Sequence, residues 1–372
     1  MNGDYHPYTW LLWLASGTLV AVLVRNPFYL FLELLAAAFV YAVILRRGRI
    51  AGPATAGQAR ALAWKGVIKL AIILWLFTLL FNALTVHVGP TVLFTLPQTW
   101  PLVGGPITLE AMAYGFATGL SFVSLILVFT VFNSAVGPHT LLRMVPGFAH
   151  HAGVALTIAL SFIPQTVLAW HEIREAQRLR GYRVTRLRDM RPLFVSLLGI
   201  GLDRAIRLAE SMEARGFAGN MAPLGPRQHL MVRAGTVLAL LALVLGLASR
   251  SFLPRYRWVG PLLMLAGAAL LLLVFRIQGR RLRRSRYRRW LWRRRDTVVS
   301  AAAGLLLVAT LGLAIARPEL LFYYPYPPYD LLPHFHPLLG FLCMLMIAPA
   351  LLLPPMPARP PFPASAGAAS SP

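Results

Sequence analysis

Eight apolar stretches run through the chain, most of them long enough to cross a bilayer, and they dictate its choice of solvent. A spanning helix needs roughly 17–25 mostly apolar residues. The stretches are Trp10–Val24, Phe28–Leu45, Val67–Val86, Glu110–Asn133, His229–Ala248, Trp258–Phe275, Thr297–Ala316 and His336–Leu353. Only 13% of the 372 residues are charged, against about a quarter in an ordinary soluble domain, while 58% are hydrophobic. That surface cannot be covered in water, so the expected fold class is all-α, a polytopic membrane helical bundle. Arg25-Asn26-Pro27 separates the first two stretches, because proline cannot continue a helix but can start one. No basic region precedes Trp10, so the first stretch is expected to remain as a helix.

The formal net charge is +24, nearly all of it arginine, since Lys65 and Lys69 are the only lysines. Such a charge could suggest nucleic acid. The arginines, however, cluster in loops beside apolar segments, where cytosolic positive charge and anionic lipid headgroups account for them. Arg46, Arg47, Arg49, Arg60 and Lys65 mark one inner loop, and the run Arg276–Arg295 marks another. The stretches His87–Leu109 and Pro318–Phe335 contain no Lys or Arg and are expected outside. The first of them, rich in Pro and Gly, reads as an irregular or re-entrant loop. Both termini then fall inside, with Arg250, Arg255 and Arg257 the arginines that fit this topology worst.

Four regions follow: 1–133 with N-terminal spanning helices, 134–228 on the cytosolic side, 229–353 with C-terminal spanning helices around the basic loop 276–295, and a disordered Pro/Ala/Ser tail at 354–372. In the second region, Gly153–Trp170 is strongly apolar, yet a crossing there would put one of two basic flanks on the wrong side. It is read as part of a long helix at the cytosolic surface, an ordinary spanning helix being the alternative.

Six of the chain's twelve acidic residues lie in this region: Glu172, Glu175, Asp189, Asp203, Glu210 and Glu213. Asp203 and Arg207, and Arg207 and Glu210, share a helix face by spacing. Pro192 suits the first turn of a helix running to Arg215. Two helix ends resemble each other: Glu175-Ala-Gln-Arg-Leu-Arg180-Gly181-Tyr182 lines up with Glu210-Ser-Met-Glu213-Ala214-Arg215-Gly216-Phe217. As plain caps, Gly181 and Gly216 would take the left-handed conformation that ends a helix, with Arg180 and Arg215 at the negative end of the dipole. As docking tips, the two arginine forks would enter two matched grooves of a cytosolic partner.

The segments LSFIPQTVLAWHEIREAQRLRG (Leu160–Gly181) and LDRAIRLAESMEARGF (Leu202–Phe217) resemble the transmembrane T component of energy-coupling factor importers, a branch of the ABC transporters. The resemblance covers roughly Asn133–Gly219, including VGPHTLLRMVPGF (Val136–Phe148), which looks like the short helix before the pair. It implies two long coupling helices, about Gly153–Arg180 and Pro192–Arg215, and an apolar stretch ending in a Phe-Ile-Pro-like turn, after which a helix ends in Ala-Arg-Gly. It implies Arg180 and Arg215 as contacts to two ABC-type ATPase subunits, capped by Gly181 and Gly216, with Glu175, Glu210 and Glu213 supporting. A substrate-binding membrane S component, for a vitamin or metal ion, would be the third partner. Ala214-Arg215-Gly216 matches the family's Ala-Arg-Gly fully, whereas Leu179-Arg180-Gly181 departs at its first position. Family members usually carry fewer spanning helices after this region.

No Gly-x-x-x-x-Gly-Lys-Ser/Thr occurs, so this chain has no nucleotide loop of that kind and ATP would be bound by partners. No catalytic constellation is expected, and no cofactor or metal on this chain: His150-His151 and His334-Phe-His336 lack ligand-spaced companions. Cys343 reads as a small core residue. Glu33, inside a span, needs a partner such as Lys69. The rival class is a non-transport membrane scaffold or lipid-interacting protein that uses the arginine run.

Overall fold

The computed structural model describes residues 5–51, 54–97, 104–145, 150–182, 187–217, 226–252, 258–279, 291–327 and 331–353. The chain is helical almost throughout: α1 Pro7–Leu23, α2 Pro27–Ala51, α3 Ala54–Thr85, α4 Leu109–Ala135, α5 Pro138–Met144, α6 His150–Leu179, α7 Arg191–Ala214, α8 Pro226–Phe252, α9 Val259–Gly279, α10 Arg294–Ala316, α11 Pro337–Met344 and α12 Ala348–Leu351. Among the described residues seven helices are long and apolar enough to cross a membrane. The all-α membrane bundle expected from the apolar stretches is the fold observed. Two expectations differ. The stretch after α3 contains a short antiparallel hairpin, β1 Val92–Thr95 and β2 Pro106–Thr108. The last apolar stretch is not one span but α11, a 3₁₀ turn and α12, as Pro337 and Pro349 restart it. The tail 354–372 and most of the arginine run, 280–290, lie outside the described residues.

The chain forms two compact units, 1–138 with 289–372, and 139–288. In the first, α4 packs on α1, α2 and α3, and α10 packs on α1. Close approach of α3 needs the absence of side chains on α4: a Cβ at Gly115 would come within 2.8 Å of Asn82 and one at Gly119 within 2.6 Å of Trp75. Membrane helices gain from such small-residue contacts because lipid supplies no hydrophobic drive between them. Polar hydrogen bonds fix the rest of the register. Asp296, buried at the start of α10, accepts from the His6 and Arg293 amides at 2.7 and 2.8 Å. At the other end of α1, the Arg25 amide donates to the Leu321 carbonyl, and Asn26 Nδ2 to that of His334 at 2.7 Å. α1 and α10 therefore run parallel.

These contacts sort the loops of this unit. The Lys/Arg-free loop after α10 meets the start of α4, where Tyr114, Tyr324 and Tyr326 pack ring to ring at 4.9–6.2 Å. The hairpin is bound to the same start of α4: Thr91 donates its amide and hydroxyl to Glu110, and Thr108 Oγ1 donates to the Val88 carbonyl. Both Lys/Arg-free loops thus share one end of the bundle, and Arg293–Arg295 lie at the other. Cys343 is buried, as expected of a core thiol. Glu33 is fully buried but does not reach Lys69, which is exposed; it accepts from Ser124 Oγ of α4 at 2.8 Å.

Candidate functional site

In the second unit α6 packs on α7, and α8 on α9. The expected Phe-Ile-Pro turn is absent: α6 continues as one 30-residue helix through Pro164. The proline removes only the amide that would have reached the Leu160 carbonyl, and the flanking turns recruit the Ser161 and Thr166 hydroxyls to the Ile158 and Phe162 carbonyls. Length and composition also qualify Ala152–Leu179 as a possible span. Pro192 occupies the first turn of α7, as expected from its fixed φ.

Two side-chain contacts define how the helices cross. Trp170 lies 5.5 Å from Phe194, ring to ring, and the Arg204 guanidinium lies 6.0 Å from the Phe162 ring. Going back along α6 from 170 to 162 corresponds to going forward along α7 from 194 to 204, so the pair is antiparallel. Ala169 and Leu193 are buried beside the first contact. At 1.5 Å per residue, Arg180 stands about 15 Å beyond one end of the contact and Arg215 about 16 Å beyond the other. The two tips therefore point away from each other, on the order of 45 Å apart along the pair.

Each tip closes in the same way. Gly181 has φ 79° and Gly216 φ 71°. The Gly181 amide donates to Arg178 O at 3.0 Å and the Tyr182 amide to Gln177 O at 2.9 Å; Gly216 donates to Glu213 O at 2.8 Å and Phe217 to Met212 O at 3.0 Å. This is the paired 5→2 and 6→1 pattern of a Schellman cap, which satisfies the last carbonyls of a helix. A Cβ at either glycine would meet nothing within 4 Å, so the backbone angle alone demands glycine there. Arg180, Ala214 and Arg215 are exposed, as are Glu175, Glu210 and Glu213. Arg207 pairs with Asp203 at 2.7 Å rather than with Glu210; both side chains are well exposed, so the pair adds little stability.

The fold thus separates the sequence-predicted residues into two sets, Arg180-Gly181 with Glu175 and Ala214-Arg215-Gly216 with Glu210 and Glu213, and holds the sets apart. Sequence reasoning missed the four side chains of the crossing, because Phe162, Trp170 and Phe194 on amphipathic helices look like any apolar face and Arg204 like any solvated charge. It also treated Leu179 only as a departure from alanine. In the structure Leu179 is 85% exposed, an apolar side chain offered next to the Arg180 fork. Among the described residues no cluster of His, Cys, Asp or Glu could hold a metal ion.

The chain is similar to proteins named energy-coupling factor transporter transmembrane protein EcfT. It is 30% identical to that of Bacillus subtilis over 165 residues, 40% of this chain and 60% of the relative. It is 34% identical to that of Exiguobacterium sibiricum over 104 residues, 26% and 40% of the two chains, and 28% identical to that of Staphylococcus aureus over 140 residues, 33% and 52%. The chain thus spans about 40 to 60% of the length of these curated relatives. No family profile matches it.

Proposed function

As a homologue of the energy-coupling factor transmembrane proteins, this chain is, we propose, the T component of an ATP-driven importer. In this reading α6 and α7 are coupling helices on the cytosolic side, and each arginine tip seats in one of two ABC-type ATPase subunits. Closure of the ATPases on ATP moves the tips, and the helix pair passes the motion to a substrate-binding S component that carries a vitamin or metal ion. The chain itself performs no covalent chemistry. The arginine-rich end of the bundle, with both termini, faces the cytosol and its anionic lipids.

The observation that carries the reading is the pair of like tips at opposite ends of one antiparallel helix pair. The helix dipole alone accounts for an arginine at each cap, but a cap that only ended a helix would not need the 85% exposed Leu179, nor a matched copy at the opposite end of the pair. An exposed arginine offers a planar fork with five donors to a partner's carboxylates or carbonyls, and opposite placement lets two subunits be engaged at once.

The test is charge reversal at one tip. Arg215→Glu should leave the chain in the membrane with its bundle folded, and should cut co-purification of the ATPase subunits at least tenfold, as loss of a buried charge-assisted contact costs about 2–5 kcal/mol. The reading is falsified if the variant retains the ATPases at the wild-type level. The scaffold alternative predicts that damage comes instead from neutralising Arg283, Arg284, Arg288 and Arg289.

A further inference from the structure

Strand β1 exposes Val92, Leu93 and Phe94 to 50, 57 and 64%. A bulge between Val92 and Phe94 interrupts the usual alternation. β2 is the inboard strand, with Pro106 and Ile107 half-buried and Thr108 buried. β1 is therefore an outboard edge, apolar on both faces. The hairpin cannot fold over to hide it, because Thr91 and Thr108 tie its base to Glu110 and to the Val88 carbonyl. No Asp, Glu, Lys or Arg occurs from His87 to Leu109, so the charged side chains that commonly guard an edge strand in water are missing from this one.

We propose that β1 lies edge-on in the interfacial layer of the leaflet at the end of the bundle that carries the two Lys/Arg-free loops, covered by lipid. The lipid-facing stripe of α3 leads directly to it: Ile73, Phe77 and Phe81 are 53, 61 and 55% exposed, α3 ends at Thr85, and Val88 continues the stripe at 58%. The backbone fixes the depth. Among the described residues β1 pairs with β2 alone, which leaves the amides and carbonyls of its outer edge without ladder partners there. In hydrocarbon each such group costs several kcal/mol, whereas headgroups and interfacial water satisfy it. The edge therefore stops at the headgroup level, and the three side chains reach the upper acyl region. The hairpin acts as a fixed collar that holds α3 and α4 at constant depth. This inference rests on the membrane bundle alone and not on the transporter reading.

The buried Cys343 is the chain's only cysteine, so Cys343→Ala gives a clean background for single thiols. The full chain is placed in phosphatidylcholine/phosphatidylglycerol nanodiscs with Leu93→Cys, Phe94→Cys or, as the aqueous reference, Glu319→Cys. A charged maleimide should react with the two strand thiols at least about tenfold more slowly than with the reference, since only thiolate reacts and lipid suppresses it. Nitroxides at the same two positions should collide more with oxygen than with a nickel chelate. Rates equal to the reference, or nickel access above oxygen access, overturn the proposal. Protection that arises only when other subunits are added also overturns it, because a protein would then be the occupant.

Discussion

At the scale of single residues, the tips depend on one backbone angle each. Gly216 sits at φ 71° with open space around it, so Gly216→Ala removes no contact and adds no clash. It costs only the left-handed conformation of a Cβ-bearing residue, about 1–2 kcal/mol. That is enough to open the cap without unfolding the bundle. Amide exchange over Glu210–Phe217 should quicken about fivefold or more in Gly216→Ala. Gly199→Ala, inside α7 where helix propensity favours alanine by about 1 kcal/mol, should slow exchange or leave it unchanged. Equal behaviour of the two variants would remove the cap from the argument. Gly181 and Gly216 were legible in the sequence because Arg-Gly-aromatic after a helical run states its own geometry. The partner of Glu33 was not, since Ser124 lies ninety-one residues away and a serine in a span gives no charge signal.

At the scale of elements, the crossing of α6 and α7 is held by weak groups. The Trp170–Phe194 pair contributes about 0.5–1.5 kcal/mol beyond its burial, and Arg204 over Phe162 about 0.5–1 kcal/mol at an exposed site. A brace of that size fixes the resting angle yet is weak enough to yield to an external load. Spin labels at Glu172→Cys and Ser211→Cys, in the Cys343→Ala background, report the angle as an inter-helix distance. Trp170→Ala should broaden the distance distribution by several ångströms, while Arg204→Lys, which keeps a cation over the ring, should not. An unchanged distribution in Trp170→Ala would mean that the angle is set elsewhere. The helices themselves were readable because apolar length and proline punctuation are local properties: Pro27 and Pro192 start α2 and α7 where expected. The continuity of α6 through Pro164 was not readable, since a proline inside a helical run reads as a break or kink, whereas α6 runs on through it. The hairpin at β1 was also hidden, because three consecutive exposed apolar residues and a threonine, interrupted by a bulge, show neither strand nor helix period.

At the scale of the whole chain, the sequence order conceals which helices meet. Spans in lipid are apolar all round, so their pattern does not point to a neighbour, and the pairing of α10 with α1 had to come from the polar joints between them. One joint carries a pH dependence. The His6 side chain caps α1 by accepting from the Tyr8 amide, and its own amide donates to Asp296. Burial lowers the His6 pKa from its ordinary 6.5, outweighing the opposite pull of Asp296. A base with a lowered folded pKa favours the fold in its neutral form. Its contribution is therefore complete above pH 6.5 and is lost as pH falls through the folded value, where the ring nitrogen that accepts from Tyr8 becomes protonated. Thermal unfolding of the detergent-solubilised chain should show its midpoint fall from pH 7.5 to pH 5. His6→Asn retains a cap acceptor at every pH, so the part of the fall due to His6 should vanish and the variant's profile should be flatter than the wild type's. Parallel profiles would show that the joint between α1 and α10 does not depend on the charge of His6, and would leave it to Asp296 with its donors and to the Thr9 and Ser300 hydroxyls.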